Sequence, residues 1–185
     1  MPLPPPVDRE LMHVRTIDLR GYRRSDGLFD IEGHVTDVKT HPLQPPGRDS
    51  PVPAGSPVHN MSVRLVFDEH LVISEAVGTI DTGPYGDCSA GSGPLSTLRG
   101  AHIGPGWSKR VKALLGAQSC THLVELLIPM ATAAYQTIAP LRFKRVDPVD
   151  AEGRPSKIDS CYAYGSARTL VMKRWPAHYT GGDDT

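Results

Sequence analysis

Three ionisable side chains near residue 30 are spaced so that they could act together. Asp30, Glu32 and His34 stand two residues apart, and in a strand such residues project from the same face. On that face a carboxylate can orient an imidazole and raise its basicity, as in general acid–base catalysis. We therefore expect His34 to be a general base that Glu32 orients. The alternative is that these residues form the solvated face of a half-buried sheet.

The segment SCTHLVEL, residues 119–126, contains a second pair of groups that could transfer protons. His122 and Glu125 are three residues apart, a spacing that on a helix permits a charge-assisted pair or two ligands to one metal ion. The turns that follow are almost entirely apolar, so the helix is expected to be buried and its polar groups to need partners. The sequence therefore predicts His122 and Glu125 as a second acid–base pair. The alternative is a surface pair near a helix cap.

His59 heads an apolar row in a candidate strand and follows a proline-rich loop, where the edges of pockets tend to lie. We predict that His59 binds a substrate oxygen and that Tyr85 and Tyr135 line the pocket; the alternative for each is packing. We expect no cofactor. A divalent metal such as zinc or iron stays open as an alternative, with ligands drawn from three elements. Those ligands would be His34, His59, His122 and Glu125.

The three cysteines, Cys88, Cys120 and Cys161, match no CxxC metal-binding spacing. In a cytoplasmic protein they are expected to stay reduced. We expect each to be a small buried residue. For Cys120, which falls in the first turn of a predicted helix, we predict packing rather than nucleophilic catalysis.

Alternation of apolar and polar residues predicts the strands that would position these groups. Six candidates follow from this pattern: residues 10–20, 27–40, 58–67, 71–81, 156–164 and 168–175. A turn at Asp26-Gly27 and a hairpin at residues 68–70 indicate antiparallel pairing, in a sheet that could close into a barrel. Gly33 leaves a gap in the apolar row of the second candidate, which indicates crowding or curvature near His34.

Helical spacing of apolar residues predicts two helices before the last two strands. The first covers residues 107–115, and the second runs from about residue 120 to residue 138 with Ser119 as its N-cap and a kink at Pro129. The expected fold is α+β: a largely antiparallel sheet of about six strands with a helical pair inserted before the C-terminal strands. We expect a single domain over residues 1–185.

Three segments lie outside these elements. Residues 1–9 are expected to form an extended arm, and residues 181–185 a polar tail. The loop 42–57 is rich in proline, which cannot donate to a strand ladder, so we expect it to be more mobile than the strands around it. Long loops of this kind commonly act as lids or binding loops.

Composition excludes several classes of function. Lys plus Arg number 20 and Asp plus Glu number 20, so the net charge is zero, whereas a protein that binds nucleic acid normally has a basic excess. No apolar run approaches the roughly 20 residues that span a bilayer, and the start lacks the pattern of a signal peptide. We expect a cytoplasmic protein that binds neither nucleic acid nor membrane; formation of a homo-oligomer stays open.

Four strings together are similar to those of a bacterial family catalogued as domain of unknown function 2889. They are RGYRRSDGLFDIEGHVTDVKT, PVHNMSVRLVFDEHLVI, LRGAHIGPGWSKRVKALLGAQSCTHLVELL and DSCYAYGSARTLVMKRWP. The resemblance covers nearly the whole chain and implies no general activity, although it hints at bacteria rich in aromatic and acyl-CoA catabolism. The most family-like blocks contain Glu32, His34, Asp37, His59, Cys120, His122 and Glu125, to which the resemblance assigns no roles.

These observations favour an enzyme that acts on an aromatic or acyl small molecule by acid–base chemistry, as a lyase or hydrolase. His34, oriented by Glu32, would be the base, and His122 with Glu125 the second pair. The alternatives are the metal-dependent enzyme and a non-catalytic domain that binds a hydrophobic ligand. If the site is real, His34 and His122 should lie within roughly 10 Å of each other, as groups that act on one small molecule must.

Overall fold

The structure is a computed structural model that describes residues 3–142 and 147–182. The chain divides into two compact units, Met1–Ala139 and Pro140–Thr185. The sheet, the two longer helices and all of the candidate site belong to the first unit. That residues 1–185 form a single domain stays a prediction.

Four consecutive strands form an antiparallel meander in the order β1-β2-β3-β4. Their bounds are β1 His13–Arg23, β2 Phe29–Lys39, β3 Pro57–Phe67 and β4 Ile73–Thr82. The predicted Asp26-Gly27 turn joins β1 to β2. Gly27 has a φ of 88°, a conformation that glycine adopts at little cost. The expected alternation in β2 is confirmed, because the odd residues from Phe29 to Asp37 are buried and the even residues are more exposed.

The sheet has four strands rather than about six, and it does not close into a barrel. The two missing strands were predicted at residues 156–164 and 168–175. There the second unit has turns, a short 3₁₀ segment over Tyr162–Tyr164 and the helix α4 over Thr169–Arg174. Short apolar alternation does not distinguish a strand from one or two helical turns. The mixed helix-and-sheet class is correct.

The predicted helical pair is confirmed and follows the sheet. Besides α4 and the Tyr162–Tyr164 segment, the described residues form the 3₁₀ segment Gly86–Leu98, α1 Trp107–Leu115, the 3₁₀ segment Gly116–Gln118, α2 Thr121–Thr137, α3 Ala139–Arg142 and the 3₁₀ segment Pro176–His178. The helix α2 runs through Pro129. The indole Nε1 of Trp107 donates to the Leu127 carbonyl at 2.8 Å, which joins α1 to α2. Among the described residues, no helix has the length and apolar content needed to cross a membrane.

One face of the sheet packs against α2, and we call it the helix-covered face. The side chains that α2 contributes to this core are fully buried: Leu123, Leu126, Leu127, Met130 and Ala134. A methyl group added at Gly33 would lie 2.8 Å from the Met130 sulphur and 3.1 Å from Leu19 Cδ2. The crowding expected near His34 therefore lies on the helix side of the sheet, where glycine lets β2 approach α2.

The loop 42–57 is anchored at two points. Leu43 and Val52 form an antiparallel bridge with N···O distances of 3.0 and 2.7 Å, and the Gly55 N–H donates to the Lys39 carbonyl at 2.9 Å. Val52 is buried. The loop therefore has ladder hydrogen bonds of its own, while its mobility stays a prediction.

Gly33 allows a direct test of this packing. Gly33→Ala should lower the free energy of unfolding by about 1–3 kcal/mol, because the added methyl overpacks the contact with Met130. In a Met130→Ala background the methyl group has space, so Gly33→Ala should lower the free energy of unfolding by less. Urea denaturation of the four proteins measures the difference. An equal cost in both backgrounds would show that Met130 is not the group that Gly33 accommodates.

Candidate functional site

A buried carboxylate joins three strands near one end of the helix-covered face. Asp37 in β2 is 3% exposed and pairs with Arg15 of β1 and His59 of β3 in the strand register. Arg15 donates through Nε at 2.8 Å and Nη2 at 2.9 Å. His13 Nε2 lies 2.8 Å from Oδ1, and His59 Nδ1 lies 3.1 Å from Oδ2. A carboxylate offers about four lone-pair positions, so these four contacts occupy all of them.

The charge on Asp37 decides which atoms of its neighbours carry hydrogen. Burial by itself would raise the pKa of Asp37, but the hydrogen bonds from Arg15 and His13 outweigh it and hold that pKa well below its ordinary value of 3.8. The carboxylate is therefore ionised at neutral pH and only accepts hydrogen bonds. It follows that Nε2 of His13 and Nδ1 of His59 both carry a hydrogen.

His59 has the properties of a general base held in one tautomer. Burial lowers its pKa from the ordinary value of 6.5, and the neighbouring His122 lowers it further, against the opposing effect of Asp37. The ring is therefore neutral at pH 7. Since Nδ1 carries the hydrogen, the free lone pair is on Nε2, where it can accept a proton.

His122 lies directly against His59. It is the second residue of α2, and the two ring centroids are 3.9 Å apart with the planes tilted by 34°. His59 heads the apolar row of β3, and this beginning of the strand lies where α2 begins. The fold thus brings together two imidazoles that the sequence placed on different elements.

Cys120 lies beside the pair formed by His59 and His122. Its Sγ lies 3.7 Å from His122 Nδ1 and 3.8 Å from the Met61 sulphur. It occupies the N-cap position of α2 without a side-chain capping bond, whereas the predicted cap, Ser119, donates its hydroxyl to the Gly91 carbonyl at 2.8 Å.

The expectation of three buried cysteines is wrong, because Cys88 and Cys120 are partly exposed and Cys161 is exposed.

A cavity of about 580 Å³ opens beside these groups. Its walls come from the start of β3, from residues 84–91 and from residues 117–122, and they include His59, Cys120 and His122. Among the described lining residues, Asp87 is the only aspartate, glutamate, lysine or arginine. The volume suits a small molecule, and the lining suits one without a strong negative charge.

His34 and Glu32 lie on the opposite face of the sheet. They alternate with Gly33, which faces α2, and they line a separate groove on the open face together with Arg20 and Arg64. His34 Nε2 lies 2.6 Å from the side-chain oxygen of Asn60. Because the sheet separates His34 from His122, the expected convergence of these two side chains is wrong. The alternative, a solvated sheet face, describes this groove.

Glu125 and His122 form no hydrogen bond or ion pair with each other, although their spacing on α2 would permit one. The Glu125 side chain is 66% exposed, and its carboxylate accepts a hydrogen bond from Nη1 of Arg15 at 3.2 Å. Tyr85 lines the cavity, and its role in binding a substrate stays a prediction. Tyr135 lies thirteen residues beyond His122 in α2, about 20 Å at the rise of an α-helix, so it does not reach the cavity.

The four proposed metal ligands do not come together, but a different set does. One potential ligand atom each from Asp37, His59 and His122 lie within 4.8 Å of one another. Two imidazoles and a carboxylate are donors that zinc and iron(II) accept. Asp37 would have to release at least one of its present donors to bind a cation.

Sequence reasoning missed the roles of Asp37, Arg15 and His13. The signal was present in β2, where Asp37 continues the buried row of Phe29, Ile31 and Val35 and is the one charged residue of that row. A charge on an apolar face requires partners. Arg15 and His13 share a face of β1, so the same rule of alternation identifies them once Asp37 is taken to be buried.

Comparison with known proteins gives one match. A family model described as a protein of unknown function, DUF2889, matches residues 13–136, a span that includes all the site residues described above. The search of curated proteins found no match, and neither did the search of solved structures.

The pKa of His59 can be measured directly. We expect NMR titration of the histidine rings to place it below 6.5, while Asp37→Asn should lower it further because the carboxylate favours the protonated ring. His122→Asn should raise the pKa of His59 by removing the neighbouring imidazole, which lowers it. A pKa for His59 at or above the ordinary value of 6.5 would contradict its assignment as a neutral base.

Asp37 should also govern stability at acidic pH. Asp37→Asn should lower the free energy of unfolding at pH 7 by about 1.5–3 kcal/mol, the scale of hydrogen bonds to a charged group. Because the folded pKa lies below the ordinary value of 3.8, wild type keeps this contribution above that value and loses it as pH falls below it. The difference in free energy of unfolding between wild type and Asp37→Asn should therefore become smaller at acidic pH. Urea denaturation at a series of pH values measures it. A constant difference would contradict the assignment.

Proposed function

The chain belongs to the DUF2889 family, and from the geometry of its site we propose that it is an enzyme that transforms a small molecule by acid–base chemistry. The observation that carries the proposal is the contact between His59 and His122 at the wall of a cavity of about 580 Å³. Lyase and hydrolase reactions both require a proton to be removed at one atom and delivered at another.

Each residue has a distinct part in this proposal. His59 removes a proton through Nε2, and Asp37 holds its tautomer and stabilises the imidazolium that forms, as a carboxylate does for histidine in other acid–base sites. His122 supplies the second proton-transfer group. Arg15 positions Asp37, and its own second partner is Glu125. This assignment replaces His34 and Glu32, which lie on the other face of the sheet.

The lining of the cavity supports one class of substrate. Tyr85, Pro84 and Met61 provide apolar surface, and the scarcity of charged side chains favours an uncharged aromatic or acyl compound. A domain that only sequesters such a ligand would not need an imidazole with a lowered pKa beside a second imidazole. The histidine contact therefore supports an enzyme over a binding domain.

Metal-dependent catalysis is the second candidate, favoured by the convergence of Asp37, His59 and His122 within 4.8 Å. The fully occupied carboxylate and the positive charge of Arg15 oppose it, because a divalent cation would meet both. Elemental analysis of the purified protein separates the two candidates. If His122→Ala removes a stoichiometric metal and lowers the melting temperature with it, the metal candidate replaces the first.

The proposal is tested by substrate consumption. Wild type is incubated with a panel of uncharged aromatic and acyl esters, thioesters and β-hydroxyacyl compounds, and consumption is followed by liquid chromatography and mass spectrometry. We expect at least one compound to be consumed. His59→Gln and His122→Ala should each slow its turnover by about 10²–10⁴-fold, the usual contribution of a positioned proton-transfer group.

His34→Ala is the matched control, since it removes a histidine from the opposite face and should leave turnover unchanged. Circular dichroism and melting temperature establish that the variants are folded. The proposal fails if no compound of the panel is consumed, or if His59→Gln and His122→Ala turn a substrate over as fast as wild type.

A further inference from the structure

We propose that Cys120 is a nucleophile that forms a covalent acyl-enzyme with an uncharged ester or thioester, with His122 as its base. This inference rests on the proposed function and specifies its substrate class. It departs from the sequence-based expectation that Cys120 packs. Three observations carry it: the sulphur–imidazole contact, the access of Cys120 to the cavity, and the second histidine behind His122.

The first observation is a nucleophile next to a base that is itself positioned. Cys120 Sγ lies 3.7 Å from Nδ1 of His122, and the ring of His122 lies against the ring of His59. His59 in turn is fixed by Asp37. A nucleophile within reach of a base, with the base held by a third group, is the arrangement that defines nucleophilic catalysis in unrelated folds.

The second observation is that the thiol is accessible where a substrate would lie. Cys120 is partly exposed and lines the cavity together with Thr121 and His122. These two residues open α2, and the first N–H groups of an α-helix have no intrahelical acceptor. With no side-chain cap from Cys120, such groups are available to an oxygen that acquires negative charge during attack.

The reaction balances with water as the co-reactant. The thiol proton passes to Nδ1 of His122 while sulphur attacks the acyl carbonyl carbon, and collapse of the tetrahedral adduct breaks the bond to the leaving group, which takes the proton from His122. Water then attacks the thioester as His59 accepts its proton through Nε2. The C–S bond breaks, the thiolate recovers a proton from His59, and a carboxylic acid is released.

The reaction class explains the lining of the cavity. An ester or thioester with an uncharged acyl group needs apolar contact and no cationic clamp, and the described lining residues include neither lysine nor arginine. A free carboxylate substrate would be poorly held there and would be disfavoured by Asp87. The products, an acid and an alcohol or thiol, are therefore expected to be released readily.

The test uses p-nitrophenyl acetate with the full-length protein. Rapid mixing followed by acid quench, intact-mass measurement and peptide mapping should show one acetyl group, located on Cys120, with a matching burst of p-nitrophenolate. Cys120→Ser should abolish this adduct. Cys88→Ser, which changes the other thiol of the cavity, should retain it. His122→Ala should slow acylation by about 10²–10⁴-fold.

The role of His59 gives a separate readout, because it acts in the second half of the reaction. His59→Gln should form the acetyl-enzyme but release acetate more slowly, so that the adduct accumulates. Failure to acetylate Cys120 in wild type, or equal acetylation rates in wild type and His122→Ala, would overturn the inference. If Cys120 is inert while a substrate from the panel is consumed in a reaction that needs His59, the proposed enzyme stands and only its covalent step is wrong.

Discussion

The structure depends on the placement of one charge, the Asp37 carboxylate, beneath the start of α2. Removing an ion from water costs several kcal/mol, and the cost is recovered only if the geometry is good and every lone pair is satisfied. Here donors from β1 and β3 meet a carboxylate of β2, so that the charge is stable only when the register of all three strands is correct. The site and the sheet are therefore specified by the same contacts.

The state of His59 at the cavity wall depends on the buried Asp37 carboxylate, and the position of His122 depends on how α2 packs. The ionised carboxylate fixes the tautomer of His59, and burial keeps the ring neutral. Gly33 lets α2 lie close to β2, which brings the first turn of the helix, and with it His122, onto His59. A polar cluster at one end of an otherwise apolar interface is thus positioned by packing farther along the same helix.

The sequence predicts the central strands and the helices well, because their patterns are long and regular. The alternation from Phe29 to Asp37 and the helical row from Leu123 to Ala134 are both present in the structure. Two short C-terminal alternations were misread as strands, since one turn of helix can produce the same pattern. Within the candidate site, the alternation of β2 correctly places His34 on the face opposite Gly33 and the buried row. The expected convergence of His34 with His122 is wrong, because His122 meets His59 on the helix-covered face. The role of Asp37 in the buried row is not recognised from the sequence pattern of β2. The role of Asp37 becomes evident only from the pairing of β1, β2 and β3 in space.

The proposed chemistry requires a neutral His59 with its hydrogen on Nδ1 and its lone pair on Nε2. Long-range ¹H–¹⁵N correlation NMR of the histidine rings at pH 7 reads this state directly. We expect Nδ1 of His59 to have the chemical shift of a protonated ring nitrogen and Nε2 that of an unprotonated one. Hydrogen on Nε2 alone, or on both nitrogens, would contradict the role of His59 as the base, because Nε2 could not then accept a proton in the cavity.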